Sequence, residues 1–86
     1  MAEIFEAINE PDKKKHPIAV FDSGVGGISV LRELVRVMPK EKFYFYGDSA
    51  NAPYGTKSKY EVLQLTRDHV EKFVDRGAKG VCIACN

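Results

Sequence analysis

The chain has 86 residues, 44% of them hydrophobic, enough for one small domain that would bury only ~60 to 65% of its unfolded surface. Thirteen Lys and Arg against 12 Asp and Glu leave a formal charge of +1, too small to draw nucleic acid or an anionic membrane from a distance. No apolar run is long enough to span a bilayer, and the start MAEIFEAINEPDKKKHP lacks the basic-then-apolar order of a secretory leader, so a cytoplasmic protein is expected.

Residues 1–16 stand apart in composition. Ile4, Phe5 and Ile8 form a weakly amphipathic stretch, followed by Pro11 and the basic run Lys13, Lys14, Lys15. This reads as a flexible N-terminal extension, with a basic interaction tail as the alternative. From Pro17 the pattern becomes regular. Residues 18–21 are continuously apolar, as suits a central strand buried on both faces, and the run ends at Asp22. After the turn formed by Gly24, Gly26 and Gly27, the positions Ile28, Leu31, Leu34, Val35 and Met38 recur at helical spacing until Pro39.

Residues 43–46 form an aromatic-rich second strand that ends at Gly47 and Asp48. A loop, SANAPYGTK, follows. Ser58 and Glu61 then make a capping box that opens a second helix, with Val62, Leu65, Val70, Phe73 and Val74 facing inward and Gly77 placed to end it. A third apolar run, 81–84, stops at Cys85. The chain ends there as a strand reaches a polar residue, which reads as a truncation. Strand, helix, strand, helix, strand predicts an α/β fold, a three-stranded parallel βαβαβ unit with strand order 2-1-3. Ligands of open parallel sheets bind at the carboxyl ends of the strands, and here those ends carry Asp22 with Ser23, Asp48, and Cys85 with Asn86.

The glycine turn in FDSGVGG fits neither a dinucleotide fingerprint nor a Walker loop. Ser29 stands where the last glycine of the first would be, no lysine follows, and Asp22 would repel a phosphate. A small phosphate- or nucleotide-binding module therefore stays as the alternative, beside a tight turn in which Asp22 only caps the next helix. Cys82 and Cys85 form C-x-x-C, but residues three apart on a strand face opposite ways. A redox pair or a metal site is disfavoured, since His16 lies in the tail and His69 on a helix, and no metal is expected. Cys82 reads as core. Cys85, at the strand end, is a candidate nucleophile or base if its thiolate is stabilised, and otherwise an inert thiol. His69 reads as a structural histidine, Tyr44, Phe45 and Tyr46 as strand packing, and Lys57 with Lys59 as a solvated edge, with a place near an anionic ligand as the alternative for Lys57.

With DSGVGG after the first strand, YGD after the second, NAPYGTKS in the next loop and IACN at the end of the third, residues 17–86 resemble glutamate racemase, of the aspartate/glutamate racemase superfamily. Residues 1–16 lie outside the resemblance. It implies the N-terminal part of a two-domain racemase fold, truncated after the third strand, and a cofactor-independent isomerase that supplies D-glutamate for peptidoglycan in cell-wall biogenesis. In that family two thiols flank the substrate Cα, and Cys85 matches the first of them, with Asp22 as its catalytic helper. Asp22, Ser23, Tyr54, Gly55 and Asn86 match positions that hold the amino acid. The second thiol and its neighbours belong to a second domain, so the 86 residues alone are expected to be inactive. Glutamate is the implied partner, and a homodimer of the complete enzyme the implied assembly. A racemase of another amino acid such as aspartate is the nearest alternative, and a non-catalytic interaction fragment a further one.

Overall fold

The computed structural model describes residues 8–24 and 26–84. Five regular elements follow one another: β1 (Ile18–Asp22), α1 (Ile28–Val37), β2 (Phe43–Gly47), α2 (Lys59–Asp75) and β3 (Gly80–Ile83). Short 3-10 turns at Lys13–Lys15, Ser49–Asn51 and Tyr54–Thr56 complete the list. The sheet is parallel throughout, in the order β2-β1-β3, as the pattern of apolar runs predicts. Ile18 pairs with Phe43 on one side and Gly80 on the other, so the three strands start level. They end level too: the Asp48 N–H donates to the Asp22 carbonyl at 2.9 Å and the Ala84 N–H to the Phe21 carbonyl at 2.7 Å.

β1 is central, and its Ala19, Val20 and Phe21 are wholly buried, which is why that run carries no polar alternation. Ala19 and Phe21 face α2, where Phe21, Tyr46, Tyr54 and Phe73 form the core with Val62, Leu65, Ala78 and Val81 packed against it. The rings meet at centroid distances of 5.7 to 6.4 Å, inside the range in which tilted and offset aromatic pairs attract.

α2 is delimited as its sequence predicts. The Ser58 hydroxyl accepts from the Glu61 N–H at 3.1 Å and the Glu61 carboxylate reaches back to the Ser58 N–H, so the capping box is closed. At the other end Gly77 adopts φ +103°, the Gly77 N–H bonds the Val74 carbonyl and the Ala78 N–H the Phe73 carbonyl, a Schellman stop that only glycine enters without strain.

Some expected inward positions are not covered. On α1 Leu31 and Leu34 are half-buried, as is Met38 at its C-cap, while Ile28 and Val35 are exposed. On α2, Val74 is exposed, and the inward place at its level belongs to Phe73. Cys82, expected in the core, is half-buried, because β3 pairs with β1 on one side only and shares its half-burial with Val81. Of the expected flexible extension, residues 8–16 are docked at the start of the sheet. The Ile8 N–H donates to the Arg76 carbonyl at 2.9 Å, and the His16 ring lies between the Gly77 and Glu10 carbonyls at 2.7 and 2.6 Å. Lys79 bridges this segment to the body, bonding both the Lys14 carbonyl and the Glu41 carboxylate.

Candidate functional site

The polar ends of β1 and β2 lie side by side, at the end of the sheet away from residues 8–16. Asp22 is 5% exposed and Asp48 2%, so both carboxyl groups are taken out of water and need partners. Asp22 finds them in the glycine turn: Oδ1 accepts from the Ser23 N–H at 2.8 Å and Oδ2 from the Gly27 N–H at 2.7 Å. These two bonds tie the carboxyl group to both ends of the turn, at Ser23 just after β1 and at Gly27, the N-cap of α1. Each oxygen keeps a further lone pair for a ligand ammonium or a thiol proton.

This pairing also explains the last glycine. A Cβ at Gly27 would lie 2.9 Å from the Ala84 Cβ and 3.0 Å from the Asp22 Cβ, so the turn closes only over a residue without a side chain. Gly24 and Gly55, by contrast, have open space where a Cβ would be, which leaves their backbone approachable. The glycines of FDSGVGG therefore serve two ends, one packing the turn onto Asp22 and another leaving clearance.

Asp48 gathers three donors, two from the loop after β2 and one from α2. Tyr54 Oη lies 2.5 Å from Oδ2, His69 Nε2 2.9 Å from the same oxygen, and Asn51 Nδ2 3.1 Å from both oxygens. Burial pushes the Asp48 carboxyl up, but the bonds from Tyr54, His69 and Asn51, with attraction to His69, outweigh it and hold the group below the ordinary aspartate value. An ionised carboxylate only accepts, so His69 Nε2 carries a proton and donates it. Nδ1 of the same ring is buried with no hydrogen-bond partner among the described residues. The imidazole is held between Phe21 and Tyr46, each at a centroid distance of 5.1 Å.

Of the residues singled out in the sequence, Asp22, Ser23, Tyr54 and Gly55 are described, and Cys85 and Asn86 lie outside the described residues. Asp22 and Ser23 stand at the end of β1, while Tyr54 and Gly55 open the second of the two turns between β2 and α2. Tyr54 is buried with its hydroxyl on Asp48, and Gly55 beside it is exposed. Lys57, expected on a solvated edge, lines a cleft of about 280 Å³ with Asn51, Tyr60, Glu61, Gln64 and Leu65. Among the described residues no group of three or more His, Cys, Asp or Glu is placed to hold a metal, and no helix is long and apolar enough to cross a membrane.

The bond between His69 and Asp48 was the part least visible in the sequence. Placing His69 well down α2 suggests that it lies far from the strand ends. However, α2 begins beyond those ends, and ten residues at 1.5 Å each, roughly 15 Å, bring the ring back level with Asp48. The available signal was the spacing Leu65, His69, Phe73, which puts the imidazole in the middle of the inward stripe.

No family model matches the chain. Among curated proteins, the glutamate racemase of Bifidobacterium adolescentis is 60% identical over 70 residues, 81% of this chain and 27% of that protein. The glutamate racemase of Clostridium botulinum is 51% identical over 75 residues, 87% of this chain and 29% of that one. Among solved structures, glutamate racemase from Thermus thermophilus in complex with Beta-chloro-D-alanine superposes with a TM-score of 0.80 at 42% identity, over 83% of this chain and 28% of its own. The chain thus spans less than a third of the length of these relatives. In sequence and in fold, it is similar to one part of the glutamate racemases.

Proposed function

We propose that this chain forms the first thiol-bearing half of a glutamate racemase site, with Cys85 as the base on one face of the substrate Cα. The observation that supports it most is the 51 to 60% identity to glutamate racemases, over a segment in which two strands end in buried carboxylates on one rim. An amino-acid Cα–H is a very weak acid. Removing it without an electron sink requires a desolvated thiolate and fixed dipoles for the developing negative charge. Backbone N–H groups near the glycine turn and the Asn86 amide would take the α-carboxylate, and Ser23 would help hold it. Asp22, fixed by its two N–H bonds, would orient the ammonium or receive the Cys85 proton. Gly55 would let the backbone of the loop approach the ligand.

In this scheme the proton leaves Cα for the Cys85 sulfur, and a second thiol delivers a different proton to the opposite face. One thiol cannot serve both faces. The 86 residues by themselves are therefore inactive, and activity resides in a racemase-length chain that carries them. No cofactor takes part. Amino-acid chemistry at this rim also agrees with the Beta-chloro-D-alanine held by the Thermus relative. The test is circular-dichroism assay of such a racemase-length chain with L- and D-glutamate and with L- and D-aspartate. Interconversion of glutamate is expected; turnover of aspartate alone would replace the substrate, and turnover by the 86 residues would remove the need for a second thiol.

A further inference from the structure

We propose that Asp48 and His69 are positioning residues for the Tyr54–Thr56 turn, holding it where a substrate amino acid is bound. The inference rests on the racemase reading above, which assigns Tyr54 and Gly55 to the substrate. Asp48 itself is 2% exposed and its oxygens are taken up by Tyr54, His69 and Asn51, so it acts through these partners and touches no ligand.

Three features of the loop make Tyr54 its anchor. Ala52, Pro53, Gly55 and Thr56 are exposed, so Tyr54 is the buried side chain of that stretch. The bonds inside the loop are local, from the Ala52 N–H to the Ser49 carbonyl and from the Lys57 N–H to the Tyr54 carbonyl, and they set its curvature rather than its place on the body. The Tyr54 ring packs on Phe21, and the bond from its hydroxyl to Asp48 adds a directional tie from the turn to the end of β2, while His69 ties the same carboxylate to α2. A buried polar cluster amid Phe21, Tyr46 and Phe73 is weak evidence of stability, because aromatic or aliphatic packing of equal volume would do as well. Its specific product is a fixed direction for the Tyr54 ring, and hence for the backbone of Gly55 next to it.

The experiment compares Tyr54→Phe, Asp48→Asn and the pair together in a racemase-length chain, each judged folded by its thermal melt. Tyr54→Phe removes one oxygen atom and keeps the ring, so it tests the anchor even if Asp48→Asn fails to fold. Each single variant should raise KM for glutamate on the order of tenfold, the scale of one hydrogen bond to a charged group, with kcat changed less. The pair should be no worse than the poorer single variant, since Tyr54→Phe removes the donor and Asp48→Asn leaves only a weaker, neutral acceptor in the same link. His69→Gln, which keeps an N–H donor, should restore most of what His69→Leu loses. In the same proteins, amide hydrogen exchange at residues 54–57 should speed up in both single variants. Unchanged KM and unchanged exchange in folded variants, or additive effects in the pair, would overturn the proposal. Absence of racemisation by the parent protein would instead overturn the functional reading, and the exchange rates would still decide whether Asp48 holds the turn.

Discussion

Asp22 and Asp48 end neighbouring strands, and burial forces both to find donors, yet the donors differ in kind. Asp22 takes backbone N–H groups of its own turn, Asp48 takes side chains from a loop and a helix. The difference has a pH consequence for Asp48. Its folded-state value is lowered, so the stabilisation is complete above the unfolded aspartate value of about 3.9 and is lost as pH falls through the lower folded value. Urea unfolding from about pH 5 down to about pH 2 should show this loss, and Asp48→Asn, less stable at neutral pH, should show a shallower acid limb. Gly47 makes a second residue-scale case. A Cβ there would collide with the Gly24 carbonyl oxygen, a backbone atom that cannot swing aside, so Gly47→Ala should cost about 1 to 3 kcal/mol, read as a fall in the urea midpoint. Neither feature was legible in full. The sequence placed Asp48 at the rim, but which side chains close on it depends on the path of a loop whose composition sets only its turns.

At the scale of elements, what reads clearly is what local chemistry decides. The capping box at Ser58 and Glu61, the stop at Gly77 and the unbroken apolar run of β1 are each set by neighbours in the chain, and each was expected where it is found. Burial of α1 and β3 was not, because it depends on neighbours in space: Ile28, Val35 and Ile83 fit the apolar period and are exposed all the same. The α2 cap gives a direct check. Ser58→Ala removes the acceptor for the Glu61 N–H and should lower stability by about 1 kcal/mol, visible in a thermal or urea melt. Phe73→Ala, at a fully buried position in the aromatic core, should cost about 3 to 5 kcal/mol and leave a domain this small largely unfolded by circular dichroism.

For the whole molecule, the parallel order β2-β1-β3 explains why residues remote in sequence share a rim. A parallel sheet delivers every strand end to the same side, and the glycine turn and the loop after β2 both cross that side. The rim was therefore readable from element order alone, as were Asp22 and Ser23 upon it. The partner roles of His69 and Asn51 were not, since both come from segments whose depth relative to the sheet only the fold sets. The racemase relatives are more than three times as long as the segment they share with this chain, and the half-site proposed above rests on that shared segment. The most direct test is racemisation of L- and of D-glutamate by a racemase-length chain bearing Cys85→Ser, followed by circular dichroism. Loss of at least about 10²-fold in both directions, the scale of a removed general base, is the expected result. Undiminished turnover in both directions would take Cys85 out of the reaction and the proposed half-site with it.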